Sequence, residues 1–281
     1  MKAIQESALN PLTPDKVTFS FGRNWQAFKD RCLDPERERI AADYLTEFME
    51  LPNLENRAFL DVGCGSGLFS LAAYRLGARK VVSFDVDPYS VRCTEELRRL
   101  AGSPRQWEVH EGSILDEGFI AGIEKADIVY AWGSLHHTGN MWGAVRNAAA
   151  LTSPDGLLFL SIYNKVEGRK GSQFWLKVKK LYNRLPGMGK RALEFSYVLR
   201  FGLLPRIIAL RNPLPFFSDY RYRRGMDYWT DVRDWLGGYP YEFAAPEEIF
   251  RFCSRELNLE LVNLHSTNTI GTNEFLFRRR D

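Results

Sequence analysis

Leu60-Asp61-Val62-Gly63-Cys64-Gly65-Ser66-Gly67 is the stretch of this 281-residue chain on which its fold is read. It begins inside a short apolar run, AFLDVG (58–63). It leads into a segment of helical spacing that stops at Gly77, a residue suited to the left-handed position just past a helix end. Alternate glycines at such a junction let the backbone turn tightly and leave room for another group against the main chain. Outward from there the same unit repeats. KVVSFDVD (80–87) reads as a second buried strand, and Pro88 opens a helix to about Leu100. WEVHEGS (107–113) and ADIVYAW (126–132) read as the third and fourth strands. A helix covers about Met141 to Leu151, SPDG (153–156) is a turn, and LLFLSIY (157–163) is the fifth strand. Strands apolar throughout and alternating with helices predict an α/β, doubly wound, mostly parallel sheet covered on both faces.

The alternation ends after Tyr163. Beyond an intervening basic and aromatic stretch, APEEIFRFCSREL (245–257) reads as a helix with Pro246 at its first position. Two strands follow it, LELVNLH (259–265) and EFLFRRR (274–280). Ahead of the sheet, an irregular arm reaches about Lys16, and residues 17–31 carry Phe19, Phe21, Trp25 and Phe28. Pro35 to Leu51 places Ile40, Tyr44, Phe48 and Leu51 on one helical face. Four parts are expected: 1–56, an arm and helices that either pack on the core or close over a ligand; 57–164, the binding core; 165–244, an inserted cap; and 245–281, the last helix and strands.

Composition narrows the class further. Hydrophobic residues are 45% and charged residues 26%, which excludes disordered and fibrous chains. Cys32, Cys64, Cys93 and Cys253 form no CxxC pair, and only four histidines are present, so no zinc-finger or other metal set is predicted. Scattered cysteines and an N-terminus without a signal-peptide core point to a reduced, cytoplasmic chain. The most apolar later stretch, Phe195 to Leu210, is broken by Arg200 and Arg206 and falls short of a membrane span. The formal net charge of +3 hides a segregation: residues 165–225 hold 15 basic and 3 acidic residues, net +12, and the remainder is net −9.

The glycine loop discriminates between cofactors. A dinucleotide loop needs G-x-G-x-x-G. Counted from Gly63 the third glycine falls on Leu68, and counted from Gly65 it falls on Ser70, only a partial match. The complete fit is to D-x-G-x-G-x-G. That pattern suits S-adenosylmethionine (SAM), which has no phosphate and presents a carboxylate, an ammonium and a sulfonium. Asp61 at the loop entrance then meets the ammonium or organises the loop. Asp85 ends the apolar run VVSF, 24 residues after Asp61, where a carboxylate can accept from both ribose hydroxyls. Val86 and Asp87 follow it. The competing reading is that the glycines only turn the chain and the aspartates cap helices.

FLDVGCGSG, VVSFDVD, EGSILD and DIVYAWGSLHH, in this order and spacing, resemble the class I SAM-dependent methyltransferases over about residues 57–163. The resemblance implies a seven-stranded Rossmann-like sheet whose last strand is antiparallel, with the basic helical insertion between strands five and six. It implies that Ser113 and Ile114 line the adenine, beside a cofactor site read at Asp61, Gly63, Cys64, Gly65, Gly67, Asp85, Val86, Asp87 and Trp132; Phe21 and Trp25 either form a lid over the cofactor or pack a helix onto the core. Many family members carry an aspartate where Ser113 stands. W-G-S-L-H-H-T-G (132–139) is similar to the small-molecule branch, including ubiquinone-pathway and sugar O-methyltransferases. The N/D-P-P-Y loop of base and glutamine N-methyltransferases is absent here.

Moving a methyl group to a hydroxyl requires removal of a proton, for which an imidazole is suited. His137, closing the motif, is the candidate base; His136 is the alternative, or holds the loop. Tyr163 and Asn164, ending the fifth strand, are candidate substrate contacts or strand caps. Arg224 and Trp229, in the aromatic stretch RGMDYWTDVRDWLGGYPYEF (224–243), are further candidates, or anchor the insertion to the sheet. FWLKVKKLYNRL (174–185) sets Trp175, Val178, Tyr182 and Leu185 at helical spacing among lysines. Three readings of the insertion compete: a cap over the acceptor, a basic amphipathic surface for an anionic membrane or lipid-linked substrate, and an RNA-backbone site, the least favoured. The expected activity is methyl transfer from SAM to a small-molecule oxygen, on a sugar, glycan precursor or phenolic ring. RNA methylation and a non-catalytic SAM-binding role stand as alternatives.

Overall fold

A computed structural model describes residues 35–212, 215–217, 220 and 228–280. The expected lid aromatics, Trp25 among them, and Arg224 lie outside the described residues. The core follows the order α1 (Pro35–Met49), β1 (Ala58–Val62), α2 (Leu68–Arg75), β2 (Lys80–Asp85), α3 (Pro88–Leu100), β3 (Trp107–Glu111), α4 (Glu117–Ala121), β4 (Ala126–Trp132), α5 (Met141–Leu151) and β5 (Thr152–Tyr163). Helices α6 (Ser172–Arg184), α7 (Gly187–Tyr197), α8 (Leu204–Ile208) and α9 (Tyr228–Gly237) follow. The chain then returns through α10 (Pro246–Arg251), β6 (Leu259–His265) and β7 (Thr272–Arg279).

The sheet is seven-stranded, in the order β3-β2-β1-β4-β5-β7-β6. Strands β1 to β5 pair in parallel, and β7 runs antiparallel between β5 and β6. Alternation along each strand feeds two separate cores. Leu60, Val82, Val129, Leu158 and Phe275 face α5 and the α10 segment, with Ala144, Val145, Ile249 and Cys253 opposite them. Phe59, Val81, Ile128, Tyr130 and Phe159 face α1, α2 and α3 through Leu45, Leu71 and Leu97. Strands this apolar on both faces leave no soluble face exposed, so helices must cover each side.

Local chemistry sets the element ends. Pro88 begins α3, and the Asp87 carboxylate accepts from the Tyr89 N–H at 2.9 Å. Asp116 and Asn140 cap α4 and α5 in the same way. Gly67 enters α2 at φ 80°, and a Cβ there would lie 2.8 Å from the Thr94 backbone, so no other residue fits without moving α3.

Four expectations change in detail. SPDG is not a turn ahead of β5 but a bulge inside it. The register steps from Ala126↔Thr152 to Ile128↔Leu157, and Asp155 takes φ 58°. Ile40 is 55% exposed, because α1 buries Ala41, Leu45 and Met49 and lays Tyr44 and Phe48 alongside. The helix expected over 245–257 tightens and widens in turn, α-helical to Arg251 and π-helical over Phe252–Glu256. In α6 the buried positions are Trp175, Lys179 and Tyr182, and Val178 is only half-buried. No described helix is long and apolar enough to cross a membrane.

Phe159 is the hinge of the α1 face, stacked on Phe48 with ring centroids 4.6 Å apart and edge-on to Tyr130 at 4.9 Å. Phe159→Ala is expected to cost about 3–5 kcal/mol, read as a lowered denaturant midpoint with unchanged slope.

Candidate functional site

The strand order reverses between β1 and β4, which opens a crevice beyond the carboxyl ends of the strands. The glycine loop, the end of β2, the loop after β4 and the end of β5 all meet there.

Asp61 is 3% exposed, and Ser70 of α2 donates to its carboxylate at 2.5 Å. Ser83 donates to Ser70 at 2.7 Å, and the Trp107 indole N–H donates to Ser83 at 2.9 Å. A buried relay thus runs from β3 through β2 and α2 to β1 and ends on a carboxylate. Asp85 holds the loop from the other side. Its carboxylate accepts from the Gly65 N–H at 3.0 Å and the Asp87 N–H at 2.9 Å. Gly63 donates to the Phe84 carbonyl at 2.8 Å. It sits at φ 76°, where a Cβ would lie 2.4 Å from Ser134 Cβ, so the loop is pressed against the segment after β4. Cys64 is buried, and burial raises its thiol well above the ordinary value, so it is packing rather than nucleophile.

Both aspartates are short of positive charge. Burial, with help from the neighbouring Asp85, pushes Asp61 up to about 7 against the pull of Ser70. Burial pushes Asp85 up to about 6 against its backbone hydrogen bonds. A ligand bringing a cationic centre to this crevice relieves both. SAM carries an ammonium and a sulfonium, so the donor set present fits it. Asp87 caps α3, leaving Asp85 as the carboxylate that ends β2 in the crevice. Val86 is 51% exposed at the rim. Ser113 accepts from the Leu115 N–H at 3.2 Å, and Ile114 is buried with its carbonyl taking the Asn147 amide at 2.8 Å. Trp132 leaves β4 with its indole N–H donated to Glu274 at 3.0 Å and Tyr44 at 3.2 Å, which ties α1 and β7 to the crevice edge.

The second half of the site follows β4. Residues Leu135–His137 form one tight turn. His136 is 1% exposed with its Nδ1 unpartnered. Burial first, then His137 and Lys179, hold it well below its ordinary value. His137 Nδ1 lies 2.6 Å from the Pro240 carbonyl. A carbonyl only accepts, so Nδ1 carries the proton and Nε2 is the ring's acceptor. Burial, with a lesser contribution from Lys179, pulls His137 down to about 3, against the pull of Pro240. The Glu242 N–H donates to the His136 carbonyl at 2.9 Å, and the Glu242 carboxylate accepts from the first N–H of α5 at 3.0 Å. The end of the insertion is thereby laced to the histidine turn.

Tyr163 sits among these rings, 4.1 Å from His136 and 5.6 Å from His137. Asn164, a candidate substrate contact or strand cap, gives its amide to the Thr267 and Thr269 carbonyls at 2.7 and 3.0 Å, which closes the β6–β7 connection. Trp229 is 41% exposed, and the insertion rings around Tyr163 are Trp235 and Tyr241. Between them lies a residue that the sequence reading passed over. Lys179 is fully buried, with its ammonium 4.1 Å from the Trp235 ring centre and 4.8 Å from that of Tyr241, donating to the Trp235 carbonyl. Burial brings it down to about 7. Its signal was present in the spacing, since 175, 179 and 182 share one helical face.

A family model described as a methyltransferase domain matches residues 33–194. The chain belongs to the class I SAM-dependent methyltransferase family. Its cofactor is S-adenosylmethionine. Among curated relatives, a ribosomal protein L11 methyltransferase of Psychrobacter sp. is 32% identical over 130 residues, 44% of this chain and 38% of that protein. The chain spans less than two fifths of the length of the curated relatives it matches. An O-methyltransferase family protein of Burkholderia thailandensis shares the fold at TM-score 0.54 and 14% identity, over 92% of this chain and 60% of that one. The magnesium protoporphyrin IX methyltransferase of Synechocystis PCC 6803, solved with bound SAH, does so at TM-score 0.53 and 15% identity, over 92% and 93%. At those identities the likeness concerns the fold alone.

The two raised aspartates have a measurable consequence. A cationic ligand favours their ionised forms, so below about pH 6 to 7 it must first displace protons. SAM affinity is expected to strengthen as pH rises from about 5.5 to 8, with proton release seen by calorimetry in buffers of different ionisation enthalpy. A flat affinity across that range would contradict the pairing.

Proposed function

We propose that this chain transfers the methyl group of SAM to an oxygen of a small-molecule acceptor, most readily an acidic hydroxyl on a phenolic ring or a carboxylic acid. SAM supplies an electrophilic methyl carbon on sulfur. The observation that carries the reading is His137, whose Nδ1 is pinned on the Pro240 carbonyl, so that Nε2 is the basic nitrogen of one fixed tautomer in the turn after β4. The acceptor oxygen forms its bond to the methyl carbon as the carbon–sulfur bond breaks. From a phenolic hydroxyl the proton passes to His137 Nε2 and then to solvent, whereas a carboxylate acceptor arrives already ionised.

The depressed basicity of His137 narrows the acceptor. A base that burial and Lys179 hold below its ordinary value is a poor partner for an aliphatic hydroxyl and suits an oxygen that gives up its proton more readily. Lys179 supports the same choice, because its charge lies close enough to act on both histidines and favours an acceptor that is or becomes anionic. The aromatic rings of Tyr163, Trp235 and Tyr241 suit a planar body beside that charge. The L11 methyltransferases carry the name of a protein acceptor; the buried, ring-lined surroundings of His137 favour a small molecule over a protein side chain.

The test is transfer of labelled methyl from SAM to a panel of phenolic, carboxylic and sugar hydroxyls. With an accepted substrate, His137→Gln is expected to lower kcat by about 10²–10⁴-fold with SAM affinity unchanged. Lys179→Met should shift the acid limb of the rate profile to higher pH, because removing its charge eases protonation of His137. Undiminished turnover by His137→Gln would overturn the assignment.

A further inference from the structure

Helix α7 is built inside out for a surface helix. Its Leu193, Glu194 and Tyr197 side packs into the insertion. Its outer side carries Met188 and Phe195, 83% and 57% exposed, and Leu199, 37% exposed, follows in the π-helical segment Val198–Leu203. Those positions recur at helical spacing with Ala192 between them, so they form one stripe. The chain beyond continues it with Ile207, Ile208 and Leu210, exposed at 54%, 79% and 96%. Nine of the sixteen large apolar side chains exposed among the described residues fall between Phe174 and Leu210. A concentration of that kind marks a contact surface rather than chance exposure.

The charge on the same segment is one-sided. Residues 168–212 hold eleven lysines and arginines and a single acid, Glu194. Glu194 is buried, accepts from the Tyr182 hydroxyl at 2.7 Å and pairs with Arg233. Lys179 is buried as well, so the exposed charge carried by residues 168–212 is all basic. Arg191, Arg200 and Arg211 are exposed beside the apolar stripe. Long basic side chains flanking exposed leucine, isoleucine and phenylalanine match one environment: an anionic headgroup layer above acyl chains. A nucleic acid would use the charge and leave the apolar stripe wet.

We propose that α7 and the segment through Arg211 form a docking surface for an anionic phospholipid bilayer, on which the chain lies peripherally. The surface belongs to the same insertion that supplies Lys179, Trp235 and Tyr241 to the histidine turn, so docking sets the insertion, and with it the acceptor side, against the lipid. This inference does not depend on the nature of the methylated oxygen.

The test is co-sedimentation of the full chain with vesicles of phosphatidylcholine alone or doped with phosphatidylglycerol, at low and high salt. Binding is expected only to the doped vesicles, weakening with salt. Two variants probe the surface independently: Phe195→Ser with Leu199→Ser, and Arg191→Glu with Arg200→Glu. Each is expected to weaken binding by about tenfold or more, with far-ultraviolet circular dichroism and SAM affinity unchanged as the sign of an intact fold. The exposed charge pair keeps the test valid if the apolar pair perturbs the helix. No binding to doped vesicles at low salt overturns the proposal, as does equal binding by both variants. Self-association, or capture by an RNA homopolymer that the same variants abolish, with vesicles left unbound, would assign the surface to another partner and overturn it too.

Discussion

The hydrogen bond from Ser70 to Asp61 is the contact on which the binding half of this molecule depends. It closes a buried relay from Trp107 through Ser83, and so joins β3, β2, α2 and β1 at the point where the glycine loop begins. The relay supplies hydrogen bonds but no charge, and Asp85 across the loop adds a second carboxylate instead of a counter-ion. A fold that buries two carboxylates near one another raises both, and a cationic ligand stabilises their ionised forms. A sulfonium and ammonium ligand suits that pair. A dinucleotide would add phosphates to the same place.

The acceptor half is built differently. There the buried charge is positive, on Lys179, and the ionisable neighbours are histidines that burial and that charge keep neutral. The two halves are joined by backbone contacts, with Gly63 pressed on Ser134 and the histidine turn laced to Pro240 and Glu242. The carboxylate-lined cofactor side and the lysine-backed histidine side are complementary environments, distant in the chain and brought together at the ends of the paired strands β1 and β4. The outer, basic and apolar face of the insertion extends the same polarity to the molecular surface.

Much of the fold was legible because its signals are local. Apolar strands, Pro88 and Pro246 at helix starts, and the D-x-G-x-G-x-G loop each depend on neighbours within a turn or two. SPDG misled because turn residues also make a bulge when the partner strand continues past them. Ile40 misled because two adjacent helical faces of α1 were both apolar enough to be the buried one. The cofactor side was readable as a motif. The acceptor side was not, since the His137 tautomer rests on a carbonyl 103 residues away. Asn164 read as a ligand or a strand cap, and its amide meets the β6–β7 loop, again a distant partner. Lys179 was missed because a lysine on an amphipathic helix reads as solvated, and it is the Trp235 carbonyl, the Asp234 charge and the rings of Trp235 and Tyr241 that make its burial tolerable.

The central claim is that burial holds the two crevice carboxylates above their ordinary range, so that a cationic ligand lowers both. Carboxyl carbon chemical shifts of Asp61 and Asp85, followed by nuclear magnetic resonance across pH with labelled aspartate, test it directly. The account predicts titration near 7 and 6 in the free protein and a downward move of both on adding SAM. Titration of both groups in the usual aspartate range of about 4, unmoved by the ligand, would contradict it.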